Sequence, residues 1–426
     1  MKRLTIYPAA LSVLLILGSC AHDAFEAVDL DGYKQEYNAS ECGFTVLRES
    51  DCDMLADIPW SDYNEYYAPG GAQTKATYTN LIGAVSGILS SVLTSNVHQV
   101  VGTYTSTDIH GEPITVSGKI LYPKKGKIKN MMIVSHYTIG SNAECPSESF
   151  SFEGLYAALG YAVVIADYIG FGVTRDVIHP YLQAETCSRN VIDMALVARP
   201  FLKSRGLAPE SEEVILLGYS QGGATTMHVQ RLLEAYPEYA SEFKIKKNYA
   251  GSGPYNIART YDYAIKKDIT GIPCAIPMII QGMSIGMDKP LDMSYFFEEP
   301  LRSNYGEWLN SKNYTVPQMS ALIGSDKLSE ILTSNARDKS KEETARFYKE
   351  LQYNSIPSSF VPSAPLYMFH SEDDETVPFI NSQLLQRQFN KETVDVEYNF
   401  NHYGSHQQGA LTFILTVAKI LKEEGK

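Results

Sequence analysis

The sequence predicts an α/β fold: a mostly parallel sheet covered by helices on both faces, interrupted late by a helical insertion. Three observations carry this expectation. From Lys129 to Gly251 short apolar runs alternate with helical stretches, the pattern of parallel strands joined by crossover helices. One run, Val214-Ile215-Leu216-Leu217, leads directly into Gly218-Tyr219-Ser220-Gln221-Gly222, a G-x-S-x-G turn set between a strand and a helix. The alternation stops between about Gly253 and Ser359 and then resumes.

The elements follow in order. Apolar positions recur at helical spacing between Asn80 and Ser95, which predicts one amphipathic helix. Val97 to Tyr104 and Pro113 to Tyr122 read as strands joined by the turn Asp108-Ile109-His110-Gly111. Met131–Ser135 and Ala162–Ala166 are strands; Phe152–Leu159 and Val191–Leu202 are helices. After the turn at Ser220 come a helix to about Ala235 and a strand at Asn248–Gly251. The interruption carries Pro273, Pro277 and Pro290, then helical stretches at Gln318–Thr333 and Glu342–Gln352. The resumed pattern is a strand at Pro365–Phe369, a helix near Asn381–Gln388, a strand at Val394–Phe400 and a helix at Gln408–Leu421. The expected division is a leader at 1–19, a tether and loosely packed arm at 20–60, core at 61–253, helical cap at 254–360, and core at 361–426.

Met1-Lys2-Arg3, the short apolar run Leu11–Leu17 and the ending Leu17-Gly18-Ser19-Cys20 read as an export signal. The ending resembles a bacterial lipobox, which makes Cys20 the expected site of lipidation. The expected setting is extracytoplasmic, anchored to a bacterial membrane through that lipid alone, on the outer membrane of a Gram-negative cell. The apolar run falls short of the ~20 residues a spanning helix needs. With 49 acidic and 36 basic residues the formal charge is −13. That excess argues against nucleic acid as a partner, since phosphate binding needs a basic patch. Beyond Cys20 stand Cys42, Cys52, Cys145, Cys187 and Cys274, an odd set in which Cys42 with Cys52 and Cys145 with Cys187 are compatible pairs. No metal-ligand spacing is present, and no cofactor is expected. The sequence leaves oligomeric state open.

The G-x-S-x-G turn resembles the nucleophile elbow of α/β-hydrolases, which makes the α/β-hydrolase fold the expected fold class. Serine is a weak nucleophile and needs a base, which in turn needs an orienting carboxylate. In this fold they follow in the order Ser, acid, His. Downstream of Ser220, Asp374 in the run Glu372-Asp373-Asp374-Glu375 is the expected acid, with Asp373 as its rival. His406, which opens the last helix in Gly404-Ser405-His406, is the expected base, with His402 as its rival. Acyl transfer also needs two N–H donors for the oxyanion. The Gln221 amide is one, and the loop His136–Gly140 supplies the other from Tyr137, with Thr138 the alternative. His136 itself reads as a structural loop residue. Tyr219, Thr138 and Tyr168 are candidate substrate contacts, although Asp167 and Tyr168 also suit a bracing role. The apolar, Met-rich run from Ile276 through Met283 to Met287 fits an acyl-binding wall or simple cap packing.

Several motifs together resemble the secretory lipase family of α/β-hydrolases: Thr105–Gly111 with Val116-Ser117-Gly118, Asp167-Tyr168-Ile169-Gly170-Phe171-Gly172, His179-Pro180-Tyr181-Leu182, and Gly218–Gly223. The similarity spans roughly Val97 to Leu421. It implies a Ser-Asp-His carboxylic ester hydrolase, acting on small-molecule or lipid esters, whose cap helps to form the acyl pocket. The anchored N-terminal arm departs from the family, and the cap shows no motif that matches it. Rival expectations are a serine peptidase, a carbohydrate esterase removing acyl groups from glycans, and a non-catalytic binding protein.

Overall fold

Residues 43–53 and 96–424 are described by a computed structural model. The expected leader, Cys20, Cys42 and the helix expected between Asn80 and Ser95 lie outside the described residues. Within them, β1 (Thr45–Asp53), β2 (Asn96–Thr107), β3 (Pro113–Pro123), β4 (Met131–Ser135), β5 (Ala162–Ala166), β6 (Glu213–Tyr219), β7 (Lys244–Gly251), β8 (Leu366–Ser371) and β9 (Val396–Asn401) form one sheet. Its order is β1-β2-β3-β5-β4-β6-β7-β8-β9. The first four strands in that order pair antiparallel and the remainder parallel.

The period of two along each central strand divides its side chains between two cores. Met131, Ile133, Val164, Val214 and Leu216 face one side, where helices α2 (Ala184–Ser204) and α3 (Gln221–Ala235) pack. Met132, Val134, Val163, Ile165, Ile215 and Leu217 face the other, against α1 (Gly154–Ala158) and the C-terminal helix. Burial on both faces is why these strands read as unbroken apolar runs. Between β7 and β8 lie the helices α4 (Ile257–Lys267), α5 (Ala275–Ser284), α6 (Val316–Ile323) and α7 (Glu342–Tyr353), with further helical segments between them. Their shared apolar core also takes in Tyr181 and Leu182 of the main body. Helices α8 (Ile380–Phe389) and α9 (His406–Glu424) complete the fold.

Four expectations are corrected. The arm is not loosely packed over Thr45–Asp53, which forms the edge strand β1 paired with β2. Its run Arg48-Glu49-Ser50-Asp51 hid it, because an edge strand meets the sheet on one side only and tolerates charge. Helix α2 begins at Ala184, ahead of Val191. Its first turns carry Ser188 and Asn190, both fully buried, so polarity masked a core-facing helix. The helix expected over Gln318–Thr333 breaks at Gly324, whose φ of 78° caps α6 in the left-handed region. Cys145 and Cys187 are not bridged: the thiols are free, and each meets its own partner, Ser147 Oγ at 3.4 Å and the Pro180 carbonyl at 3.2 Å.

The polar start of α2 closes onto β2 through a buried network. Ser106 Oγ donates to Asp193 at 2.7 Å, and Asn190 Nδ2 donates to that Ser106 oxygen at 2.8 Å. Burial outweighs the Ser106 hydrogen bond and the Arg189 charge, and pushes the Asp193 carboxyl up to about 6. Its folded pKa lies above its unfolded value, so its contribution is fully present below the unfolded pKa and is lost as pH rises through 6. Ionised Asp193 therefore costs up to about 3 kcal/mol above that pH. The Asp193→Asn variant keeps an acceptor for Ser106. It is expected to melt higher than wild type at pH 8 and no higher at pH 4. Equal shifts at the two pH values would contradict this assignment.

Candidate active site

Ser220 sits at the C-terminal end of β6, where open α/β sheets place their ligands. Its backbone has φ 60° and ψ −122°, a left-handed turn that residues with a Cβ rarely adopt. The turn is held by its neighbours. Ser220 N–H donates to the Gly251 carbonyl at 2.9 Å, and Ala224 N–H donates to the Ser220 carbonyl at 3.1 Å. A Cβ on Gly218 would collide with the Gly222 carbonyl, and one on Gly222 with the Ser135 carbonyl of β4. These glycines let the helix start directly above the strand.

Three side chains from distant parts of the chain meet here. His406 Nε2 lies 2.8 Å from Ser220 Oγ, and His406 Nδ1 lies 2.6 Å from Asp374 Oδ2. The other carboxylate oxygen of Asp374 accepts the Thr376 and Val377 amides at 2.9 and 2.8 Å. Asp374 and His406 are both buried. The two rivals form a separate pair at the surface: His402 Nδ1 is 2.7 Å from Asp373 Oδ1, and that carboxylate raises the His402 pKa. His402 is 69% exposed and faces the carboxylates of Asp373 and Glu372. Behind Asp374 stands a histidine the sequence did not single out. His370 Nε2 is 2.9 Å from the Val377 carbonyl and 3.6 Å from Asp374 Oδ2, while its Nδ1 is 2.7 Å from Ser382 Oγ. Burial lowers its pKa. A neutral His370 donates to Val377 and so buttresses the loop that carries Asp374.

This chemistry now meets the comparisons with known proteins. The model of the secretory lipase family matches residues 148–414. The chain belongs to the secretory lipase family. Membership makes it a carboxylic ester hydrolase. No curated protein matches it significantly. Among solved structures, the rice cell wall degrading esterase LipA of Xanthomonas oryzae is similar over 80% of this chain and 93% of its own, with a TM-score of 0.67 and 24% identity. A putative hydrolase of Legionella pneumophila aligns with a TM-score of 0.70 at 18% identity, over 89% of this chain and 98% of its own. Candida antarctica lipase A in its closed state gives 0.56 at 15% identity, over 85% and 77%. At these identities the structures establish the shared α/β-hydrolase fold.

In this chain a cavity opens beside Ser220, walled on the core side by Thr138, Tyr181 and Leu182. The cap contributes Ile272, Ile276 and Ile279, and the acid loop Glu375 to Pro378 closes another side. Helix α5 has two faces: Ile276 and Ile279 line the cavity, whereas Ile280 and Met283 are fully buried in the cap core. Of the three expected substrate contacts only Thr138 lines this cavity. Tyr219 is corrected: its hydroxyl donates to the His406 carbonyl at 2.7 Å and its ring packs in the core beside Phe369 and Phe413. It anchors the start of α9 instead. Tyr168 is corrected too. It is fully buried at φ 63°, stacked on His179 and packed against the tilted ring of His136, with its hydroxyl 3.4 Å from the His136 carbonyl. Asp167 also braces, accepting from Ser117 Oγ at 2.6 Å and the Ser147 amide at 2.7 Å. His136 faces backbone carbonyls of Tyr137 and Asp167 with its two ring nitrogens, a structural role. The Gln221 amide is the first N–H of α3, where helix donors have no intrahelical partner. The ring of Tyr137 packs with Ile139, Cys145 and Phe171, away from the cavity lining. Among the described residues no cluster of His, Cys, Asp and Glu is arranged to hold a metal ion, and no helix is long and apolar enough to cross a membrane.

Proposed function

We propose that this chain cleaves carboxylic esters through an acyl-serine intermediate. The hydrogen-bonded series Ser220–His406–Asp374 is the observation that carries this reading. Ser220 Oγ attacks the ester carbonyl as His406 Nε2 takes its proton, and Asp374 holds the imidazolium. The amides of Gln221 and Tyr137, or Thr138 in place of Tyr137, receive the charge on the carbonyl oxygen. His406 returns the proton to the leaving alcohol, and water then frees the acid by the same base.

The isoleucine wall of α5 suits the acyl chain. Hydrolysis of p-nitrophenyl esters from acetyl to palmitoyl tests this. Ile276→Ala is expected to move the preferred chain longer by about two carbons or more, because the removed side chain leaves apolar space. An unchanged profile would place the acyl group elsewhere. A second reading, an esterase of acylated glycans, is favoured by the polar residues Thr260, Thr270, Glu375 and Thr376 in the same lining. Release of acetate from an acetylated oligosaccharide faster than from a nitrophenyl ester would select it.

The leader at 1–19, followed by Cys20, supports a lipid-anchored enzyme outside the cytoplasm. A Cys20→Ala variant is expected to shift from the membrane fraction to the soluble fraction. Unchanged membrane retention would rule out this anchor.

A further inference from the structure

The motif His179-Pro180-Tyr181 lies between β5 and α2 and takes no part in the proton transfers. It nevertheless touches both sides of the expected oxyanion site. His179 Nε2 lies 3.0 Å from Gln221 Nε2, and Tyr181 OH lies 2.7 Å from Thr138 Oγ1. We propose that His179 and Tyr181 form a frame that sets the aim of the two oxyanion donors, His179 through the Gln221 side chain and Tyr181 through Thr138. The frame rests on the reading of Ser220 as nucleophile and of the Gln221 amide as oxyanion donor.

The protonation states follow from the contacts. His179 Nδ1 faces the Ile169 carbonyl at 2.7 Å, so that nitrogen carries the proton. Burial, and next the charge of Lys312, hold the ring neutral. Nε2 is then an acceptor, and the Gln221 amide group must donate to it. The Gln221 Oε1 atom is buried with no partner among the described residues. Turning the amide round to satisfy it would set two acceptors against each other. The Gln221 side chain is therefore fixed in one orientation, and its own backbone N–H is fixed with it. On the other side, the Tyr181 hydroxyl and Thr138 Oγ1 share one hydrogen bond at 2.7 Å, which ties the Thr138 side chain to the segment.

The segment is built to stay in place. A Cβ on Gly170 would collide with the His179 backbone, and one on Gly282 of α5 with the Tyr181 backbone. Tyr181 N–H turns back to the His179 carbonyl at 2.8 Å. Leu182, which follows, is held at φ 59°, a conformation that persists only where its surroundings impose it. The rings of Tyr168, Phe171 and Tyr181 surround His179 with centroids 5.1–5.9 Å away. Contact with Gly282 links the frame to the cap, so the seating of α5 bears on the oxyanion site.

The test is steady-state kinetics of the full chain in detergent for His179→Asn, His179→Gln, Gln221→Met, Tyr181→Phe and the double variant His179→Asn/Gln221→Met. Inhibition by phenylboronic acid, which forms a tetrahedral adduct on a nucleophilic serine, is measured beside it. His179→Asn and Gln221→Met are expected to lower kcat about 10- to 100-fold, and Tyr181→Phe about 5-fold, with KM within about 3-fold of wild type. His179→Gln places an acceptor near the lost Nε2 and is expected to recover most of kcat. The double variant should be no slower than His179→Asn alone, because both substitutions break one contact. The boronate Ki should rise by the factor lost in kcat/KM. Losses confined to KM, a His179→Gln as slow as His179→Asn, or multiplying effects in the double variant would overturn the frame. A wild-type chain that a fluorophosphonate does not label at Ser220 would instead overturn the underlying reading. Labelling at Ser220 with no kcat effect in the variants would remove the frame alone.

Discussion

Ser220→Ala is expected to lower kcat for p-nitrophenyl ester hydrolysis by about 10⁴-fold or more and to leave the melting temperature nearly unchanged. The hydroxyl is the atom that forms the acyl bond, and its removal leaves only binding and oxyanion contacts to promote attack by water. Alanine keeps the Cβ and therefore suits the backbone no worse than serine at φ 60°. The folding energy lost is one hydrogen bond to His406, typically about 1 kcal/mol. A variant that melts as wild type and retains more than about a tenth of its activity would exclude Ser220 as the nucleophile.

Asp374→Asn is expected to cost about 10⁴-fold in kcat, by the wrong-tautomer effect. The reason lies in the amides that grip this side chain. Oδ1 accepts from both Thr376 N–H and Val377 N–H, so an asparagine must place its carbonyl oxygen there. Its NH₂ then points at His406 Nδ1 and forces that nitrogen to accept. The remaining proton moves to Nε2, where it faces Ser220 Oγ, and the ring can no longer serve as a base. Asp373→Asn and His402→Ala, which alter the exposed neighbouring pair, are expected to keep kcat within about 2-fold, as surface changes usually do. Assay of the three variants side by side distinguishes the pairs. Equal losses at Asp373 and Asp374 would contradict the assignment.

Much of the sheet was legible because burial on both faces makes its central strands continuous apolar runs, as at Met131–Ser135 and Ala162–Ala166. The elbow was legible because Gly218 and Gly222 leave a fixed spacing around Ser220 wherever a helix must start above a strand. What stayed hidden has physical causes. Edge strand β1 carries charges that a sheet edge tolerates, and α2 opens with polar residues whose partners, such as Ser106 for Asp193, come from elsewhere in the chain. The choice between Asp373 and Asp374 is a matter of one residue in a turn. The Thr376 and Val377 amides hold the second carboxylate, which lies beside His406. His370, His179 and Tyr181 act through contacts between distant segments, so no periodicity marks them. Tyr219 adjoins Ser220 in sequence yet points into the core, and Tyr168 takes the bracing role its sequence setting also suits.

The most direct measurement is peptide mapping by mass spectrometry after the full chain has reacted with a fluorophosphonate, with ester hydrolysis followed in the same sample. The account predicts one phosphonyl group per chain, on the peptide containing Ser220, and activity lost in proportion to labelling. A label on another residue, or full activity in a chain fully labelled at Ser220, would contradict it.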